Sequence, residues 1–359
     1  MNWIRLASIL TAVALVRGAP IYTLADLGTL GGSSAIAVGI NSFGQAVGTL
    51  TAPSGFTNAF ISDGSGLTNL TANSSAAGGQ ANGINNAGQV AGTQNLGGQF
   101  YATIWNAGVA TTVAGAGSYA MAINNSGSVA GMLINNGEGN AFVSANGTLI
   151  DLGTFFGGWW SAAYGLNDSG QAAGYGMTAD GAFRAFIWAP GVGYTVLGTL
   201  GGANSYGMAI NDSGMSTGAS QVSSGFVHAF VSNGTTVEDL GTLGGRSSYA
   251  YGINNLGNVV GYSSTRTGQT DGFLEEGGAM YDINALLIDA PGWSITALYG
   301  INDSNQVVGV GVLNGIEHAV LLTDPPAPQP SSPASTPEPA TWIFTLTGLA
   351  ALLLQRSLR

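Results

Sequence analysis

The chain contains no cysteine and no lysine, and only 7% of its 359 residues are charged. Without cysteine there is no disulfide, no thiolate nucleophile and no cysteine-based metal site. Its seven basic residues, all arginine, stand against 18 carboxylates, giving a formal charge of −11. Nucleic-acid backbones are gripped by clustered Lys and Arg, so this balance argues against a nucleic-acid partner. Histidine occurs only at His228 and His318. Glycine is abundant, with 59 residues, yet it follows no G-x-y period, and collagen-like or linker readings fail.

What the chain does have is repetition. Seven Asn residues, each preceded by Ile or Leu, recur at Asn41, Asn85, Asn124, Asn167, Asn211, Asn254 and Asn302. Their spacings of 44, 39, 43, 44, 43 and 48 residues match the length of a four-stranded propeller blade. Three residues after each Asn stands Gly, or Asn305 in the last copy. Both residue types accept positive φ, and the leading Asn can close an Asx-turn, so each copy reads as strand, tight turn, strand. Small residues precede each Asn by two positions (Gly39, Gly83, Ala122, Gly165, Ala209, Gly252, Gly300), as a crowded strand near an axis requires. A second strand follows the Gly seven positions after each Asn, Gly48 in the first copy. A third strand is marked by NAF, RAF or HAF and a fourth by DLGTLGG or a relative of it.

The order of strands at the ends predicts closure. Residues 21–28 form an orphan fourth-type strand, whereas the last unit, residues 300–323, stops after its third strand. Pairing the two removes an exposed edge. The expected fold is all-β: a seven-bladed β-propeller of roughly 43-residue repeats, closed by the N-terminal strand, plus a C-terminal apolar helix.

Residues 1–18 read as a secretory signal peptide, with Arg5 ahead of an apolar stretch and small residues before Ala19. The propeller then occupies 19–323 and a Pro/Ser-rich linker 324–340. Residues 341–359 comprise an apolar helix and a basic tail. The apolar run, residues 341–354, would span about 21 Å as a helix, short of the ~30 Å hydrocarbon layer. Transient or stable membrane contact is expected there, with Arg356 and Arg359 snorkelling.

The triplet Pro337-Glu338-Pro339, the apolar run and the terminal arginines, in that order, resemble the PEP-CTERM sorting signal. The body, with His228-Ala229-Phe230 among its third-strand motifs, resembles the HAF-repeat family of extracellular bacterial proteins. The resemblance implies export in a Gram-negative-type bacterium, processing by an exosortase-type enzyme, and an inner-membrane helix before processing. It also implies residence at the cell surface or in an exopolysaccharide-rich extracellular matrix, and it brings no catalytic residue with it.

Candidate sites are few. Asp168, Asp212 and Asp303 sit in NDSG or NDSN turns with one carboxylate per turn, too few for a calcium loop, so turn chemistry is expected. His228 and His318 occupy the same repeat position on different units and are not expected to share a metal. Glu275-Glu276 would point to opposite faces of a strand, which spoils acid–base pairing. No cofactor or metal is expected. Trp159 and Trp160 follow Gly157-Gly158 in what reads as a loop, where other copies carry small residues. Residues 285–293 form the one clear insertion, with Asp289 and Trp293. Trp159, Trp160 and Trp293 are therefore the expected binding residues. The expected function is a non-catalytic, exported surface or matrix protein binding exopolysaccharide or surface partners, the alternative being a polysaccharide-active hydrolase or lyase.

Overall fold

The computed structural model describes residues 20–72, 78–154 and 157–324. The signal-peptide region, Pro337, Glu338, Pro339 and the expected helix over 341–354 lie outside the described residues. Among those described, the chain is all-β apart from one 3-10 turn, Ile283–Ala285. No helix among them is long and apolar enough to cross a membrane.

The strands form successive antiparallel meanders. The first contains Ser34–Ile40, Ala46–Thr51, Thr57–Ser62 and Leu67–Asn69. Five further four-stranded meanders start at Gly79–Ile84, Ser118–Ile123, Gly157–Leu166, Gly201–Ile210 and Gly244–Ile253. The seventh contributes Trp293–Ile301, Val307–Leu313 and Ile316–Thr323, and its fourth strand is Thr23–Gly28 from the other end of the chain. The first strand of each meander touches that of the next, and the last touches the first.

Each ring Asn explains itself once its bonds are traced. Asn41 Oδ1 accepts from the backbone N–H of Phe43 and Gln45, closing a turn in which Gly44 takes φ of 78°. Asn41 Nδ2 donates to the carbonyl of Asn85, 3.1 Å away in the next meander. The same donation runs from Asn85 to Asn124, Asn124 to Asn167, Asn167 to Asn211, Asn211 to Asn254 and Asn254 to Asn302. Asn302 then donates to Asn41 at 2.9 Å. Every ring Asn is buried, and its amide accepts at Oδ1 while donating at Nδ2, so one side chain serves both the turn and the neighbouring meander.

A second set of links lies one residue on. The backbone N–H of Asn125 donates to Asp168 at 2.8 Å, that of Asp168 to Asp212 at 2.9 Å, and that of Asn255 to Asp303 at 2.8 Å. The carboxylates of the NDSG and NDSN turns thus join neighbouring meanders, which is turn and interface chemistry.

Gly48 lies inside the second strand rather than ahead of it. It pairs with Ala37 beside a register shift, and a Cβ there would overlap the carbonyl oxygen of Ile36. The corresponding glycines, from Gly92 to Gly309, face the same collision with a first-strand carbonyl. The register shift is a β-bulge, and it recurs in all seven first strands.

The apolar core is divided into wedges between meanders. Val47, Ala59, Ala81, Ile84, Val90 and Trp105 fill the first such wedge, and Leu27, Ala35, Leu50, Phe60 and Val308 fill the one between the seventh and first. In the second to fifth meanders the buried Ala at this motif position donates its N–H across the wedge to a serine hydroxyl, as Ala141 does to Ser161 Oγ and Ala229 to Ser248 Oγ, both at 2.8 Å. In the third, fifth and seventh meanders the residue ahead of that Ala meets the Asp of the fourth strand. His228 Nδ1 lies 2.9 Å from Asp239, and His318 Nδ1 lies 3.0 Å from Asp26, linking the two ends of the described chain. Residues 285–293 serve the same junction, because Tyr22 donates its N–H to the Leu286 carbonyl and accepts from Ile288.

Candidate functional site: the aromatic face

The two ends of the first strands differ. Around the ring Asn, a cavity of about 190 Å³ is lined by the repeated Ile/Leu-Asn pairs and the polar residue after each. Its amides and carboxylates are engaged in the links already described.

At the opposite end, a cavity of about 310 Å³ is lined by Val38, Asn82, Met121, Tyr164, Met208, Tyr251 and Tyr299. These are the residues skipped by the seven bulges, one per meander: Val38 falls between the paired Ala37 and Gly39, and Tyr251 between Ala250 and Gly252. A bulge releases its extra residue from the ladder and re-aims its side chain. The fold therefore turns the side chain three positions before each ring Asn toward the cavity, whatever that side chain is. All seven are half-buried. The position holds one aliphatic, one amide, two thioether and three phenol side chains.

Aromatic groups extend the site outward. Tyr164 stacks on Tyr175 with ring centres 5.1 Å apart and planes within 2°, and their hydroxyls are 3.3 Å apart. Tyr175 also meets Trp160 at 5.0 Å and Tyr206 at 5.0 Å. A second group joins Tyr251 to Tyr262 at 5.7 Å and to Tyr299 at 5.2 Å. Burial pushes the Tyr164, Tyr175, Tyr251 and Tyr299 phenols above their ordinary value, the neighbouring phenols reinforcing this at Tyr175, Tyr251 and Tyr299. They stay protonated at neutral pH and present O–H donors from an apolar setting. Asn82 Nδ2 is engaged with the carbonyl of Ala120 at 2.7 Å.

The expected binding residues are distributed differently from the sequence reading. Trp159 and Trp160 lie on a strand, Gly157–Leu166, not in a loop. Trp159 is 54% exposed, whereas Trp160 packs edge-on to Phe183 at 6.1 Å and covers Gly139. Trp293 sits in the seventh meander, edge-on to His318 at 5.4 Å and packed against the core there. Trp160 thus joins the aromatic face, while Trp293 stands apart from it, partly buried against the core of the seventh meander. Sequence reasoning missed the bulge residues. Their signal was present as one column, Val-Asn-Met-Tyr-Met-Tyr-Tyr, that varies inside an otherwise monotonous repeat.

Glu275 is buried and accepts from the N–H of Gly278 at 2.7 Å. Burial holds its carboxyl above the ordinary range. No group of three or more His, Cys, Asp or Glu is placed to hold a metal among the described residues.

No protein-family profile matches the chain, and no curated protein matches it. Solved structures do. The β-propeller domain of the Trilobed protease from Pyrococcus furiosus aligns with a TM-score of 0.54 at 10% identity, covering 82% of this chain and 95% of that one. The acylaminoacyl peptidase of Pyrococcus horikoshii aligns with a TM-score of 0.54 at 12% identity over 83% of this chain and 52% of that one. A puromycin hydrolase gives 0.54 at 13% identity over 84% and 53%. The chain thus spans about half the length of these two enzymes and nearly all of the isolated propeller domain. These neighbours include propeller domains of peptidases, and they overturn the expectation of an exopolysaccharide-binding repeat protein and its polysaccharide-active alternative. At such identities the likeness shows the fold alone: a β-propeller.

Proposed function

We propose that this chain is a non-catalytic, peptide-binding β-propeller whose aromatic face receives an apolar side chain of a basic polypeptide segment. The observation that carries this reading is the axial cavity built from the seven bulge residues. Its lining offers thioethers, phenol rings and protonated hydroxyls, which suit an adaptable grip on apolar side chains. It offers no carboxylate, imidazole or primary alcohol to act as base or nucleophile. The formal charge of −11 favours approach of a cationic segment, and tyrosine faces attract ammonium and guanidinium groups.

In this reading the seven meanders are blades of one closed ring. The Asn302-to-Asn41 hydrogen bond, the pairing of Thr23–Gly28 with Ile316–Thr323 and the His318–Asp26 contact support that closure. Export with C-terminal handling by an exosortase-type enzyme is a further part of the proposal, resting on residues 1–18 and Pro337-Glu338-Pro339. Mass spectrometry of the mature C-terminus tests it: loss of the residues beyond Pro339 is expected, and an intact Arg359 would refute processing.

The binding proposal is tested with a library of short peptides varied in charge and apolar content. Saturable binding confined to basic, apolar members, weakened at least tenfold by Tyr251→Ala with Tyr299→Ala, is the expected result. Equal binding by acidic peptides, or binding indifferent to both substitutions, would overturn it.

A further inference from the structure

The repeats allow one part of the aromatic face to be compared with another, position by position. Between the fourth and fifth meanders, Trp160, Tyr175, Phe183 and Tyr206 form a filled cluster. Trp160 lies seven residues before its ring Asn and Tyr175 eight residues after it. Two meanders earlier, the same positions hold Gly78 and Thr93, while Phe100 and Tyr119 stand where Phe183 and Tyr206 stand. The walls are thus kept and the contents removed.

The geometry of the walls is nearly unchanged. Phe183 and Tyr206 have ring centres 5.6 Å apart at 37°, and Phe100 and Tyr119 are 5.5 Å apart at 31°. Beside this contacting pair lies a cleft of about 400 Å³, bordered also by Phe56, Gly78, Thr93 and Asn95. Phe56 is 56% exposed and Phe100 43% exposed, so apolar rings face solvent at its mouth. Thr93, by contrast, is 4% exposed, and its hydroxyl finds no hydrogen-bond partner among the described residues. A buried hydroxyl left unpaired is costly, and most such groups in folded proteins are satisfied.

We infer that this cleft is a binding site for an aromatic ring carrying a hydrogen-bonding group, the indole or phenol of a tryptophan or tyrosine in a polypeptide partner. The molecule itself supplies the complement, since equivalent walls in the fourth and fifth meanders enclose its own Trp160 indole and Tyr175 phenol. The ring lies against Phe100 and Tyr119 as Trp160 and Tyr175 lie against Phe183 and Tyr206, and its N–H or O–H pairs with Thr93 Oγ1. Gly78 keeps the cleft empty: its φ is 128°, and a side chain there would strike the carbonyl of Thr57. None of these residues lines the axial cavity, so the site stands independently of the function proposed above.

Titration calorimetry with N-acetyl-tryptophanamide, N-acetyl-tyrosinamide and N-acetyl-leucinamide tests the inference. The two aromatic amides are expected to bind saturably and the leucine amide at least tenfold more weakly. Thr93→Tyr fills the cleft as Tyr175 does and should abolish binding while leaving the melting temperature unchanged or raised. Thr93→Val keeps the shape without the hydroxyl and should weaken binding about fivefold, the worth of one hydrogen bond. Should Thr93→Tyr fail to fold, Phe100→Ala removes a wall and is expected to cost at least tenfold in affinity. Absence of saturable binding, equal binding of the leucine amide, or full affinity in a folded Thr93→Tyr or Phe100→Ala variant would overturn the assignment.

Discussion

The asparagine end and the aromatic end of the first strands are built from the same seven segments, yet they obey opposite rules. At the asparagine end every copy repeats, because each Asn must satisfy its own turn and then donate to the next meander. A substitution in one copy breaks bonds in two. At the aromatic end the backbone repeats but the side chains do not. The bulge fixes where a residue points and leaves its identity free, so Val38, Asn82, Met121 and Tyr251 occupy one structural position. Uniformity marks the part that links one meander to the next, and variation marks the part for which recognition is proposed.

The largest effect should come from the uniform end. Asn124→Ala removes a donor to the Asn167 carbonyl and an acceptor for the N–H of Ser128, both buried. A loss of about 3 kcal/mol in unfolding free energy is expected by chemical denaturation. Next, Gly218→Ala forces a methyl against the Tyr206 carbonyl, and a loss of roughly 2 kcal/mol is expected, with the transition remaining cooperative. If Asn124→Ala were as stable as the parent, the distinction between the two ends would fail, and a fully stable Gly218→Ala would contradict the close approach at the bulge.

On the aromatic face, Tyr251→Ala and Tyr299→Ala together should reduce affinity for a basic apolar peptide at least tenfold. Their melting temperature should fall less than that of Asn124→Ala, because both side chains are only half-buried.

A smaller effect is expected at Glu275, which belongs to neither end. Burial raises its folded-state value, so the protonated form is the one the fold prefers. The stability it contributes is complete at low pH and is lost as pH rises through that raised value. Glu275→Gln should therefore be more stable than the parent at neutral pH and equal to it at strongly acidic pH. A pH series of denaturation midpoints reads this directly, and the opposite ordering would contradict the burial argument.

Much of the frame was legible before any coordinates. Positive φ at Gly44 and Asn305 followed from residue type, and the strand at residues 21–28 announced its pairing with the end of the repeat array. The bonds between meanders were not legible, because sequence spacing does not reveal that Asn41 reaches Asn85. Nor was the site. A bulge is a register event between two strands, so no fixed residue type marks it, and its only trace in the sequence is a column that varies within the repeat. The insertion at residues 285–293, whose irregular length suggested binding, also seats Tyr22 at the chain's junction, a contact that spacing alone does not reveal.

The most direct test is a paired measurement of peptide affinity and thermal stability in two double variants, Tyr251→Ala with Tyr299→Ala and Asp168→Asn with Asp212→Asn. The first is expected to lose at least tenfold in affinity for the basic apolar peptide, and the second to bind it within twofold of the parent. Full affinity in the tyrosine variant, or an equal loss in the aspartate variant, would contradict the division between a face that binds and a face that holds.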